Sequence, residues 1–216
     1  MAGFVARRPR LTLAIALAAG FIASGLLQWM PQEGRRLQLT QVVESVLTDP
    51  GSPAAGASNP EVTIVVFTDY QCAICKATDP ALTRLLEQDP SVRVIWKDWP
   101  IRGPASSLAA RTALAAHREG RYLEVHAALM AAHGQLTPQR IDDIAREAGA
   151  NPQLARRHAR EIDAQLGRHT LQALGLGLAG TPTYLVGPYL LEGGLDDHAL
   201  RQAVERARRA GPPQPP

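Results

Sequence analysis

Residues 61–76 read Glu61-Val62-Thr63-Ile64-Val65-Val66-Phe67-Thr68-Asp69-Tyr70-Gln71-Cys72-Ala73-Ile74-Cys75-Lys76. The first seven form a β-branched run with no room for a polar face, the pattern of a central strand covered on both sides. The run stops at Thr68-Asp69-Tyr70-Gln71, and from Cys72 to Gln88 the spacing turns helical, with Leu82, Leu85 and Leu86 on the inner face. Val92-Arg93-Val94-Ile95-Trp96-Lys97 is the next strand. Strand, helix and strand within about 36 residues make a right-handed parallel unit.

Working outward, Leu39, Val42, Val43, Val46 and Leu47 recur at helical spacing, which predicts a short amphipathic helix ended by Asp49-Pro50-Gly51-Ser52-Pro53. Downstream, residues 104–176 carry no strand signal. Helix starts are marked at Pro104-Ala105-Ser106-Ser107, Thr137-Pro138 and Asn151-Pro152, and stops at Gly120, His133-Gly134 and Gly149, so a helical block of four or five segments is expected. Thr183-Tyr184-Leu185-Val186 and Tyr189-Leu190-Leu191 then make two short strands about Gly187-Pro188, and Asp196 caps a last helix running to Arg209. A frayed tail is expected at 211–216.

The chain has 216 residues, 45% of them hydrophobic, with 23 Lys and Arg against 20 Asp and Glu. The excess of +3 is carried by Arg7, Arg8 and Arg10 in an acid-free segment 1–10, which leaves the remainder formally neutral. That distribution excludes a phosphate-binding surface and takes nucleic acid off the list of partners. Residues 11–30, LTLAIALAAGFIASGLLQWM, carry no charge. Twenty residues of helix span roughly 30 Å, the hydrocarbon thickness of a bilayer. The expected organisation is therefore a basic cytoplasmic segment 1–10, a transmembrane anchor 11–30, a linker and short helix 31–48, and one folded domain 49–210 on the far side of the membrane. A cleaved signal peptide with a small-residue site at Ala23-Ser24-Gly25 is the competing reading, and a buried soluble helix a third. Either export reading places the main domain in an oxidising compartment.

Both cysteines of the chain fall in Cys72-Ala73-Ile74-Cys75, between the buried strand and its helix. The first turn of a helix offers free N–H groups and about half a positive charge, so a thiol there is stabilised as thiolate. Free Cys titrates near 8.5, and in such motifs at about 3.5 to 7.5. Cys72 is therefore expected to be the nucleophile, with Cys75 one turn deeper as the resolving thiol. A structural disulfide across three residues would close almost no loop and add little stability. A four-ligand metal site finds no second cysteine pair, and His117, His126, His133, His158, His169 and His198 lack ligand-like spacing. Metal and external cofactor are not expected.

At this point the chain resembles the DsbA-like branch of the thioredoxin-fold thiol–disulfide oxidoreductases. The resemblance rests on Phe67 to Lys76, on Lys97-Asp98-Trp99-Pro100 with Gly103-Pro104-Ala105-Ser106, and on Gly180-Thr181-Pro182-Thr183-Tyr184, and covers about Leu47 to Arg209. It implies an α/β thioredoxin-like fold with an inserted all-helical subdomain at about 104–176, here preceded by the expected membrane helix. It also implies a cis bond at Thr181-Pro182, with Thr181 and Pro182 forming the substrate-contacting loop. From the residues alone that proline is as readily an ordinary trans one. Two departures stand out. The dipeptide Ala73-Ile74 replaces the proline and polar or aromatic residue of strongly oxidising members. Val66 stands where the superfamily often buries a proton-relaying acid. Asp69 and Lys76 are the nearer alternatives, although a solvated turn acid and a solvated helix lysine are their plain readings. Tyr70, Ile74, Trp99 and Ala179 are candidates for the rim of an apolar substrate groove, with core packing an equally ready reading of Trp99.

The expected activity is extracytoplasmic exchange of a Cys72–Cys75 disulfide with thiols of exported proteins, in the oxidising direction, served by a membrane or periplasmic redox partner. Rivals are a reductase or isomerase of the same fold for cytochrome or metal-centre assembly, and a non-enzymatic thiol metal-binding protein. For the last, Met1, Met30 and Met130 offer no thioether cluster.

Overall fold

The structure, a computed structural model, describes residues 34–214. The apolar stretch 11–30 and its basic flank lie outside the described residues. Among the described residues no helix is long and apolar enough to cross a membrane.

Six strands build one sheet: β1 (Arg35–Arg36), β2 (Ala54–Gly56), β3 (Val62–Thr68), β4 (Val92–Asp98), β5 (Thr183–Val186) and β6 (Tyr189–Glu192), in the order β1-β6-β5-β3-β4-β2. β3 and β4 are parallel, with Val66 opposite Trp96, and every other pairing is antiparallel. The central strand is covered on both faces, as its run of apolar residues requires. Ile64 and Val66 enter one core with Val94, Trp96 and Tyr184, while Val65 and Phe67 enter a second with Ile95, Leu185 and Trp99. The turn between β5 and β6 needs Gly187: its φ is +53°, and a Cβ there would meet that of Ala207 at 2.8 Å.

Eight helices clothe the sheet within the described residues. α1 (Gln41–Thr48) is capped by Thr40 and buries Val43 and Val46 in the second core, so the predicted amphipathic helix packs on the domain. α2 (Ala73–Gln88) covers the first core beside the last helix, α8 (Asp197–Ala210), which Asp196 caps as expected. Between β4 and β5 run α3 (Pro104–His117), α4 (Tyr122–Ala131), α5 (Pro138–Glu147), α6 (Gln153–Arg157) and α7 (Ala159–Gly175). The insertion is not wholly a separate lobe: α7 places Ile162 and Leu166 in the first core but Ala173 in the second, returning the chain across the sheet.

Residues 211–214, expected to fray, are instead tied to the domain, the Leu39 N–H donating to the Gln214 carbonyl at 2.7 Å. β1 and β2, too short for a period-two pattern, are the elements the sequence does not announce.

Candidate active site

Cys72 occupies the N-cap position of α2, where its sulfur accepts the Cys75 backbone N–H at 3.3 Å. A sulfur thus stands where Ser or Asp ordinarily satisfies an orphan N–H of the first turn. Both thiols are free and covered, Cys72 at 0% and Cys75 at 2% exposure, so the difference between them is not one of access. It is electrostatic. Burial pushes the Cys72 thiol up, but the thiol and N–H of Cys75, Thr181 and the Arg102 charge together outweigh it and leave the group below its ordinary value. At Cys75 burial prevails and the adjacent Cys72 adds to it, so that thiol is pushed up to about 12.

The loop opposite supplies Thr181 and Pro182, joined by a cis bond as the resemblance implied. The Cys72 thiol donates to the Thr181 carbonyl at 3.3 Å. The Thr181 hydroxyl is buried beside the sulfurs with no hydrogen-bond partner among the described residues, a donor that a thiolate there can recruit. Ala73 and Ile74 are exposed between the cysteines, and Gly194 packs so closely on α2 that a Cβ there would sit 2.7 Å from the Ile74 and Thr78 methyls.

Asp69 is buried, not solvated. One carboxylate oxygen accepts the Gln71 N–H at 2.7 Å and the Ser106 hydroxyl at 2.6 Å; the other accepts the N–H groups of Ile101 at 2.8 Å and Arg102 at 3.0 Å. Its own carbonyl accepts the Cys72 N–H at 3.0 Å. With four donors on it, this carboxylate is a clamp that ties the turn before Cys72 to the loop ahead of α3. Lys76 is not a solvated helix lysine either: its ammonium donates to the Leu129 carbonyl at 2.7 Å and that of Ala132 at 2.8 Å, closing the C-terminus of α4. Burial, with the Arg140 charge, lowers its pKa. Neither Tyr70 nor Trp99 rims a groove: Tyr70, in the turn after β3, is 1% exposed in the first core, and Trp99, just past β4, takes its core reading at 5% exposure in the second. Of the four rim candidates only Ile74 and Ala179 face solvent, joined by Ile101.

Behind the cysteines lies a buried polar chain that no local pattern signalled. The Tyr70 hydroxyl is 2.9 Å from His126 Nδ1, whose Nε2 is 2.9 Å from Asp79 Oδ1; Tyr122 donates to Asp98 at 3.2 Å and lies 3.5 Å from Tyr70. Among the described residues no group of three His, Cys, Asp or Glu side chains is arranged to hold a metal ion.

A buried parallel strand running into a helix capped by a CxxC cysteine, faced by a cis-proline loop, defines the thioredoxin-like class of thiol–disulfide oxidoreductases. Residues 63–205 match the DSBA-like thioredoxin domain, and the chain belongs to that family. A thioredoxin-like oxidoreductase from Silicibacter pomeroyi is 35% identical, superposes with a TM-score of 0.74 and covers 79% of this chain and 99% of its own. A periplasmic thioredoxin-like protein from Salmonella enterica serovar Typhimurium is 31% identical, with a TM-score of 0.72 over 80% of this chain and 99% of its own. The thiol-disulfide exchange protein alpha-DsbA2 from Wolbachia pipientis is 29% identical, with a TM-score of 0.70 over 76% of this chain and 90% of its own. Among curated proteins, a Na(+)/H(+) antiporter NhaA 3 from Salinispora tropica is 32% identical, in a 155-residue alignment covering 63% of this chain and 22% of that protein. The chain thus spans about a fifth of the length of the curated relatives it matches.

Proposed function

We propose that the chain works as an oxidant of extracytoplasmic protein thiols, with Cys72 as nucleophile, Cys75 as resolving thiol and Thr181-Pro182 as the loop along which an extended substrate lies. The observation that carries this is the Cys72 sulfur at the N-cap of α2, accepting the Cys75 N–H at 3.3 Å, a placement that leaves the Cys72 thiol below its ordinary value while burial pushes Cys75 up to about 12. A substrate thiolate attacks the Cys72 sulfur of the disulfide, and Cys75 departs with the electron pair and takes up a proton. A second substrate thiolate then attacks the substrate sulfur of the mixed disulfide and expels Cys72 as thiolate. The substrate loses two electrons and the cysteine pair gains them, to be handed on to a membrane or periplasmic redox partner. A stabilised Cys72 thiolate is the better leaving group, which favours this direction. The exposed Ile74 and Ile101 beside the cysteines suit unfolded, apolar segments of exported substrates.

Extracytoplasmic placement rests on Arg7, Arg8 and Arg10 ahead of the uncharged stretch 11–30, and an uncleaved anchor with the domain 49–210 beyond it is the topology proposed. Cys75→Ala is expected to trap Cys72 in mixed disulfides with exported proteins on a diagonal non-reducing gel, and Cys72→Ala to trap none; adducts formed equally by both variants would refute the assignment. The direction is read from equilibrium with glutathione. A potential approaching about −120 mV supports the oxidant, and one near about −270 mV supports the reductase. The Ala73-Ile74 dipeptide, lacking a side-chain donor, sets the expected value between these limits.

A further inference from the structure

The inserted helix α4 touches the active-site segment on both sides of the cysteines, and a single side chain makes both contacts. His126 holds the Tyr70 hydroxyl at 2.9 Å through Nδ1 and the Asp79 carboxylate at 2.9 Å through Nε2. Tyr70 lies two residues ahead of Cys72, inside the turn closed by the Cys72 N–H on the Asp69 carbonyl at 3.0 Å. Asp79 lies four residues beyond Cys75 and directly precedes Pro80, the one proline inside α2. Proline removes the N–H that would reach the Lys76 carbonyl, so the hydrogen-bond ladder is interrupted between the first two turns of α2 and the rest. The orientation of those turns, which carry both cysteines, therefore depends on contacts from outside the helix.

His126 is built to supply them. It is 3% exposed and its ring stacks on Tyr122 at 5.2 Å with 21° between the planes. Tyr70 at 5.4 Å and Trp96 at 5.7 Å close on it edge-on, so the imidazole is enclosed on several sides. Each of its two ring nitrogens thus meets a polar group of the active-site segment, Nδ1 the Tyr70 hydroxyl and Nε2 the Asp79 carboxylate, so neither is left buried without a partner.

We propose that His126 is a positioning residue for the redox pair, a clasp from the helical insertion that holds the turn before Cys72 and the first turns of α2 in the register at which the Cys75 N–H meets the Cys72 sulfur. That N–H to sulfur contact is 3.3 Å, and such bonds weaken steeply when angle or distance slips. Freeing Tyr70 moves one end of the contact and freeing Asp79 the other. The inserted helices thereby acquire a role in the chemistry of a site to which they contribute no sulfur. The inference rests on Cys72 being the low-pKa nucleophile.

The test is thiolate absorbance at 240 nm against pH, reduced minus oxidised, on the whole chain, together with the rate of alkylation by iodoacetamide at pH 7. Tyr70→Phe removes one oxygen and His126→Phe keeps a ring in place; each is expected to raise the thiolate pKa and slow alkylation about five- to ten-fold, the equivalent of one hydrogen bond. His126→Gln, whose amide can still donate to Asp79, is expected to recover part of the loss. Val46→Ala, which opens a cavity in the opposite core, is expected to lower the unfolding midpoint and leave the titration unchanged. Should His126→Phe fail to fold, Tyr70→Phe decides. Folded Tyr70→Phe that titrates and alkylates as wild type overturns the clasp while leaving the nucleophile assignment standing. A low-pKa thiolate that persists in Cys72→Ser overturns that assignment, and the clasp with it.

Discussion

Lys97 and Asp98 are neighbours on β4, and because side chains alternate along a strand they serve opposite faces of the sheet in opposite ways. Lys97 is fully buried and donates to the Asp49 carboxylate at 3.1 Å and the Ser52 hydroxyl at 2.8 Å, with the Ser52 oxygen 3.3 Å from His169 Nε2. That cluster, which the Arg168 guanidinium joins at 3.5 Å from the Asp49 carboxylate, fastens the segment between α1 and β2 to the sheet. Asp98 faces the cysteine side, accepts from Tyr122, and through it adjoins Tyr70 and His126. The first cluster holds the chain together; the second reaches the turn that carries Cys72. Ion pairing fixes a joint, whereas a chain of directional hydrogen bonds transmits position.

The largest expected effect breaks the first cluster. Lys97→Met leaves the Asp49 carboxylate with only the half-exposed Arg168 guanidinium at 3.5 Å, and denaturant unfolding is expected to show a loss of about 3 kcal/mol, the low end for a broken buried pair. Thiolate titration of the folded fraction should not move, and a shift there would erase the distinction between the faces.

A smaller effect sharpens the contrast through pH. Burial, with the Lys97 charge beside it, lowers His169 from 6.5 to about 4, so its contribution to stability is present above pH 6.5 and lost as pH falls toward 4. Burial raises Asp98 from 3.8 to about 6, so its contribution is full below pH 3.8 and lost as pH rises through 6. The two slopes oppose each other in one window. His169→Asn is expected to leave stability falling with pH between about 4 and 6, and Asp98→Asn to leave it rising, each by up to about 1.4 kcal/mol per pH unit. Unfolding midpoints measured across that window check both signs.

The smallest effect concerns the second bridge to the insertion. Lys76→Met leaves the α4 C-terminal carbonyls without their ammonium and is expected to cost about 1 kcal/mol in thermal unfolding.

The parallel unit from Val62 to Asp98, the helical insertion, the Asp196 cap and the CxxC at a helix start were legible in the sequence because each has a local signature, whether periodicity, capping residue or spacing. The cis bond at Thr181-Pro182 was legible only through family resemblance. Exposure habits of residue types do not anticipate the buried Asp69 clamp, the Lys76 ammonium on the α4 carbonyls or the inward ring of Tyr70, because each depends on a partner more than 30 residues away, whereas Trp99 takes the core position that its apolar ring equally allows. The His126 chain has no local signature: Tyr70, Asp79 and His126 are 47 to 56 residues apart across each bond, and only the fold brings them together. The absent acid at Val66 was visible, but nothing in the sequence showed that polar groups gather one shell farther from the sulfurs.

The central claim is the division of labour between the two thiols, and a pH titration of thiolate absorbance in the reduced protein tests it most directly. The account predicts one step below pH 9, absent in Cys72→Ser and retained in Cys75→Ser, with the second thiol silent until strongly alkaline pH. Two thiols titrating together near pH 9, or an early step that survives in Cys72→Ser, would contradict it.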